Sequence, residues 1–313
     1  MYSFDNTSQR KRNTINTNFQ TILQNGVNNN QSNVTQLEKP MVQSEKPMVE
    51  ESQNMYDYVN KYESFNKAII YNFNFDCGGL GDCIKFFMFL VNKYMKTNTR
   101  VYYKRNNIVI EKYIKLKYDK MYINEESIKL LDCDDIQITL HSLTLHSPDY
   151  HTNFNINISD VFYFTDEVKL NSKYLMSPDI TNYISIHLRI GDHFLETDIN
   201  YIHCKTDVRK FSEEKIFKII EENYDKNIFF CADNNSYKLK LKERYNNIFI
   251  TTCDIGHSAL SNTTEKQILD SITEFYILTN SKMIYSGSIS GYSLMASKFN
   301  GIPIDVLETI QCI

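Results

Sequence analysis

From residue 183 to residue 307 the chain alternates short apolar runs with amphipathic stretches, and this order constrains the fold more than any other feature. YISIHLR at 183–189 reads as a strand. FSEEKIFKIIEENY at 211–224 reads as a helix capped by Ser212, with acids in its first turn. NIFFCAD at 227–233 and NIFITT at 247–252 are strands, separated by the helical SYKLKLKERY. A helix over TTEKQILDSITEFYILTN, a strand KMIYSGS, a helix SGYSLMASKFN and a closing strand IPIDVL complete the series. Strands that alternate with helices pair in parallel and carry helices on both faces of the sheet.

The first half of the chain is less regular. KAIIYNFNF from Lys67 is a β-rich run that stops at DCGGLGD. CIKFFMFLVNKYM follows as a helix with a broad apolar face, and Asp82 stands where it can cap free N–H groups. VYYK near residue 100 is a further strand. Between 106 and 180, β-like pieces such as DDIQITLHSL and VFYF stand among polar turns, and the pattern sets no order for them. Residues 1–65 differ again. They contain QNGVNNNQSN and the repeat EKPMV at 38–42 and 45–49, and their apolar residues are sparse and without period. Such a stretch buries too little surface to offset its ordering entropy, so a disordered leader is expected over 1–65. The organisation expected is that leader, an N-terminal lobe over 66–180 and a C-terminal lobe over 181–313.

Composition excludes some classes. The formal net charge of −4 lacks the basic excess that phosphate-backbone binding uses, so no nucleic acid is expected. No apolar run is long enough to span a membrane, and no apolar stretch follows the basic residues of MYSFDNTSQRKRN. A cytoplasmic location is therefore expected, with the seven cysteines, none in a CxxC, as reduced thiols.

In parallel α/β sheets, ligands bind beyond the carboxyl ends of the strands. Four polar segments fall there: Gly78–Asp82, Arg189–Asp192, Ala232–Asn235 and Gly287–Tyr292. Gly78, Gly79 and Gly81 suit either a tight, densely packed turn or a loop that lets an anion approach backbone N–H groups. They match neither the dinucleotide fingerprint nor the P-loop. His187 and Arg189 point to one side of an extended chain. Arg189 is placed as a phosphate ligand, or it pairs with a carboxylate such as Asp192. His187 either orders the loop from the core or takes part in chemistry. Asp192, His193 and Glu196 are the nearby candidates for a general base. Asp233 binds a sugar hydroxyl or base edge, or caps the next helix. Asp270 lies within a helix, facing either a buried partner or solvent. SGSISGYS at 286–293 offers N–H groups and the hydroxyls of Ser288 and Ser290 to a diphosphate.

Other constellations are weak. Asp132 and Asp134 form a DxD that suits a metal or an acidic turn. His141, His146 and His151 match no zinc spacing. Cys253 and His257 suggest no dyad, and SGYSL is not G-x-S-x-G. No metal site is expected.

GGLGD at 78–82, HLRIGD at 187–192 and the 286–293 segment, with CADN at 231–234 and ILD at 268–270 between them, resemble the superfamily of α-1,2-, α-1,6- and protein O-fucosyltransferases. The resemblance covers roughly 68–305. It implies a fold of two Rossmann-like lobes of the GT-B type, with a mostly parallel sheet in the C-terminal lobe. It implies inverting transfer of fucose from GDP-fucose to a glycan or protein acceptor, with no required cofactor or metal. Arg189 then corresponds to the arginine on the donor diphosphate, Ser288 to the serine near the last strand, and Glu196 falls near the place of a carboxylate. Asp233 corresponds to a position that holds nucleotide or sugar, and Asp270 to one that supports the site. The motif's second arginine is Ile190 here. That departure keeps two alternatives open: a non-catalytic nucleotide- or carbohydrate-binding relative, and a transferase for another nucleotide sugar.

Overall fold

The computed structural model describes residues 54–73, 78–140, 154–176, 180–195, 202, 204–258 and 260–308. Their strands form two parallel sheets and one short antiparallel pair. In the N-terminal lobe, β1 (Lys67–Asn72) pairs with β2 (Thr99–Lys104) and β5 (Asp135–Leu140), and β4 (Tyr122–Ile123) flanks β2, in the order β4-β2-β1-β5. In the C-terminal lobe the order is β11-β10-β7-β8-β9, from Ile304–Val306, Ile284–Ser286, Tyr183–Leu188, Asn227–Ala232 and Ile248–Phe249. Every pairing in both sheets is parallel. The fold is the two-lobed α/β architecture of the GT-B type. β3 (Ile114–Leu116) and β6 (Phe162–Phe164) form the antiparallel pair in the segment whose order the sequence left open.

Besides three four-residue helical turns, the helices of the described residues are α1 (Met55–Asn60), α2 (Leu80–Met95), α3 (Asp166–Leu175), α4 (Glu213–Glu222), α5 (Asn235–Arg244), α6 (Glu265–Leu278) and α7 (Gly291–Asn300). α4, α5, α6 and α7 lie where periodicity puts them, and Ser212 caps α4 through the Lys215 amide. α2 starts at Leu80, earlier than the CIKFF run suggests. Gly79 is its N-cap residue, and Asp82, in its first turn, accepts from the Gly79 amide.

Alternation along β7 and β8 separates two apolar layers, as a period of two requires. Tyr183, Phe229 and Cys231 face a core shared with α2, α6 and α7 that runs on into the N-terminal lobe. Ile184, Ile186, Leu188, Ile190, Ile228 and Phe230 face a second layer under α4 and α5. Full burial of both faces explains why these strands read as continuous apolar runs.

The expected leader ends too late. Residues 54–65 belong to the folded body, with Met55, Tyr58, Val59, Tyr62 and Phe65 buried in the main core. β4 reaches β2 only at Tyr103 and Lys104. The start of that strand, which β4 leaves unpaired, is closed by side chains instead: the Tyr58 hydroxyl donates to the Thr99 carbonyl at 2.5 Å and the Tyr62 hydroxyl to the Val101 carbonyl at 2.8 Å. Removing Tyr62 takes away an aromatic core member and this edge contact together. Tyr62→Ala should therefore cost about 3 kcal/mol or more, measured by urea unfolding of the full chain. A loss below about 0.5 kcal/mol, as at an ordinary surface site, would return this segment to the leader.

Candidate functional site

A cavity of about 470 Å³ opens at the carboxyl ends of β7 and β8. That size falls in the range of small-molecule sites. All four strand-end segments reach it, through Gly79–Asp82, Arg189, Ala232–Asp233 and Ile289–Tyr292.

Two helix N-termini meet at this cavity. Gly81, in the first turn of α2, lies against the first turn of α7. A Cβ at Gly81 would stand 2.7 Å from the Gly291 carbonyl carbon and 2.8 Å from the Tyr292 nitrogen. Only a glycine permits this approach. The unpaired N–H groups and positive dipole ends of a 16-residue and a 10-residue helix therefore face one space. Ser290 caps α7 by accepting from the Tyr292 amide. The Asp82 carboxylate stands beside the joint, paired with Lys85 at 3.2 Å.

The HLRIGD segment forms a tightly bound corner. Arg189 Nη1 donates to Asp233, while Nη2 donates to Asp192 and, at 3.2 Å, to Asp207. Asp233 also accepts from the Ile190 and Gly191 amides at 2.7 and 3.1 Å. Gly191 has φ +117°, and a side chain there would collide with the Asp207 carbonyl. That clearance lets residues 204–209 lie against the end of β7, where the His193 amide donates to the Asp207 carbonyl and the Arg209 amide to the Ile190 carbonyl. Asp192 is buried and accepts from the Cys204 amide at 2.8 Å. Burial alone would raise its pKa, but the Arg189 guanidinium outweighs it and holds the carboxyl below the ordinary aspartate value. The same carboxylates outweigh the burial of Arg189 and hold it charged.

The other expected residues divide. Gly79, Gly81, His187, Arg189, Asp233 and Ser290 line the cavity. Gly78 adjoins it without lining it. Ser288 is fully buried, and its hydroxyl is held by the Arg189 backbone, accepting from N–H at 3.1 Å and donating to C=O at 2.7 Å. It ties β7 to β10 rather than facing a ligand. Asp192, bound to Arg189, is poorly placed as a base. His193 is exposed, with Nδ1 at 3.0 Å from the Lys205 carbonyl, and lies outside the cavity lining. Asp270 also lies outside the lining, bonded to Asn171 on α3 and to Lys266. Glu196 falls outside the described residues, as do His141, His146 and His151. Asp132 and Asp134 precede β5, at its amino end, away from the strand ends that form the cavity. Among the described residues no cluster of His, Cys, Asp and Glu has the make-up of a metal site, and no helix is long and apolar enough to cross a membrane.

Sequence reading missed several members of the site. α6 presents Gln267, Ser271 and Glu274 to the cavity, the face next to Asp270. Glu274 accepts from the Lys238 ammonium at 3.1 Å, from Thr251 and from the Cys231 thiol at 3.5 Å. Burial would lower the pKa of Lys238, but Glu274 outweighs it, so the buried ammonium stays charged behind the cavity wall. Burial pushes the thiol of Cys253 up to about 12 and that of Cys231 well above the ordinary thiol value, which leaves both as poor nucleophiles. Arg209, Lys85 and the 253–258 loop complete the wall. The i, i+4 and i, i+7 spacing from Gln267 was the available signal for α6.

No protein-family model and no curated protein sequence matches the chain. Among solved structures, the chain is similar to the fucosyltransferase NodZ of Bradyrhizobium, an alpha-1,6-fucosyltransferase, in crystals soaked with GDP-fucose. Identity is 12%, over 76% of this chain and 94% of that one, with a TM-score of 0.49. It is also similar to a mutant of Arabidopsis thaliana FUT1 in complex with GDP, at 9% identity over 80% and 72% of the two chains, TM-score 0.49. For POFUT1 in its apo form the values are 9%, 76%, 97% and 0.44. These are likenesses of backbone course alone, and the chemistry of the cavity rests on its own residues.

His187 offers a direct check of this geometry. It is buried, stacks on Tyr292 with ring centroids 5.2 Å apart, and its Nδ1 has no hydrogen-bond partner among the described residues. Burial lowers its pKa from 6.5 to about 4; Asp233 opposes the shift and Arg189 adds to it. As pH falls below 6.5 the unfolded chain takes up this proton before the folded one does. Folding stability should thus drop by about 3 kcal/mol between pH 7 and pH 4 on account of His187 alone. Urea unfolding across that range should show a shallower slope in His187→Gln than in the unmodified chain. Equal slopes would mean the imidazole is not held neutral.

Proposed function

We propose that the chain is an inverting glycosyltransferase that moves fucose from GDP-fucose to a hydroxyl of a glycan or protein acceptor, without a required metal. One observation carries the reading. Gly79, Gly81, His187, Arg189, Asp233 and Ser290, which lie in the segments that carry the fucosyltransferase resemblance, line a single cavity where two helix N-termini converge. Their N–H groups suit a diphosphate.

Negative charge grows on the leaving diphosphate as the glycosidic bond breaks. The α2 and α7 ends stabilise it in place, with Arg189, whose guanidinium has five N–H donors and uses three on carboxylates. The acceptor hydroxyl attacks the opposite face of the sugar. Its proton passes to a carboxylate, and Glu196 is the one the resemblance implies. The crowding of Arg189 by three carboxylates favours, as a second reading, a nucleotide-binding relative without turnover.

Calorimetry with GDP, UDP and ADP tests the site. GDP should bind most tightly, and EDTA should leave its affinity unchanged. Release of GDP from GDP-fucose in the presence of an acceptor separates a transferase from a binding relative. Absence of binding by any nucleotide to the folded chain would overturn the donor-site assignment.

A further inference from the structure

Resting on the nucleotide-donor reading, we infer that Arg209 is a second cationic ligand of the donor diphosphate. It supplies from a neighbouring segment the charge that position 190 of the HLRIGD segment does not. Ile190 is buried in the apolar layer with Leu188, Ile216 and Ile228, on the face of the sheet opposite Arg189. The Ile190 side chain therefore packs in that layer and does not line the cavity.

Arg209 reaches it. Its amide donates to the Ile190 carbonyl at 2.8 Å, which fixes its backbone on the end of β7, and its side chain lines the cavity. Nε forms an ion pair with Asp207 Oδ1 at 2.7 Å. The two Nη groups have no partner among the described residues, and the side chain is 44% exposed. With Nε held, the open edge of the guanidinium is the Nη1–Nη2 pair, a fork that fits two phosphate oxygens. Asp207 also bonds Arg189 at 3.2 Å, so a single carboxylate sets both guanidinium groups.

Charge explains why one arginine is insufficient. Arg189 faces Asp192, Asp207 and Asp233, so its corner presents no net positive charge to an incoming anion. The third cation of the lining, Lys85, is paired with Asp82. Arg209 is the lining cation whose terminal donors face open space. The loop that carries it is seated by the clearance at Gly191, so that glycine also serves to deliver the second arginine.

The test is calorimetry of GDP and of guanosine on the full chain, on Arg209→Ala and on Arg209→Gln, which keeps a donor for Asp207 but drops the charge. GDP affinity should fall roughly ten- to a hundredfold in both variants. Guanosine affinity should not change, and Arg209→Lys should recover part of the loss. GDP affinity equal to that of the unmodified chain in both variants would overturn this assignment alone. A parallel loss of guanosine would also overturn it, assigning Arg209 to holding the loop. No GDP binding by the unmodified chain would overturn the nucleotide reading, and the role of Arg209 with it. Should Arg209→Ala fail to fold, Arg209→Gln decides by the same comparison.

Discussion

The structure depends on the contact between Gly81 and the backbone of Gly291. Helices of the two lobes meet there end to end, with no side chain between them. One consequence is mechanical: α2 and α7 share a continuous core with α6, which joins the N-terminal sheet to the C-terminal one. The other is electrical. The positive dipole ends of two helices are aimed into the same cavity, with the Asp82 carboxylate beside their joint.

Around that joint the protein invests in buried charge. The Arg189 cluster links the ends of β7 and β8 to the 204–209 segment, and the Lys238–Glu274 pair puts its carboxylate in the cavity wall. Buried ion pairs are weak contributors to stability, because desolvation cancels much of their attraction. Their geometric effect is stronger. Asp233 binds Arg189 and two successive amides, and Ser288 binds both backbone groups of Arg189, so the strand end has one permitted path. The HLRIGD segment is thus largely structural in its wiring: the arginine is the centre of the corner, the glycine its clearance and the aspartate its clamp.

Much of this was legible in the sequence. Fully buried parallel strands leave continuous apolar runs, so β7, β8 and the helices around them could be placed from pattern. The strand-end rule then found the cavity wall, since it depends on topology and not on any single residue. What failed depended on contacts distant in sequence. Tyr58 and Tyr62 read as part of a polar leader because their partners, Thr99 and Val101, lie some 40 residues on. Ser288 read as a ligand, although the Arg189 backbone holds its hydroxyl. Glu274 was passed over for Asp270 because the helix pattern does not say which neighbouring face meets the cavity. Arg209 sits in a loop with no period, and only the pairing with Ile190 brings it to the site.

The most direct measurement is a crystal structure of the full chain with GDP bound. The account predicts both phosphates at the joint of α2 and α7, within hydrogen-bond distance of amides in Gly79–Gly81 and Ser290–Tyr292. Phosphates bound away from that joint, with the two helix ends left to solvent, would contradict it.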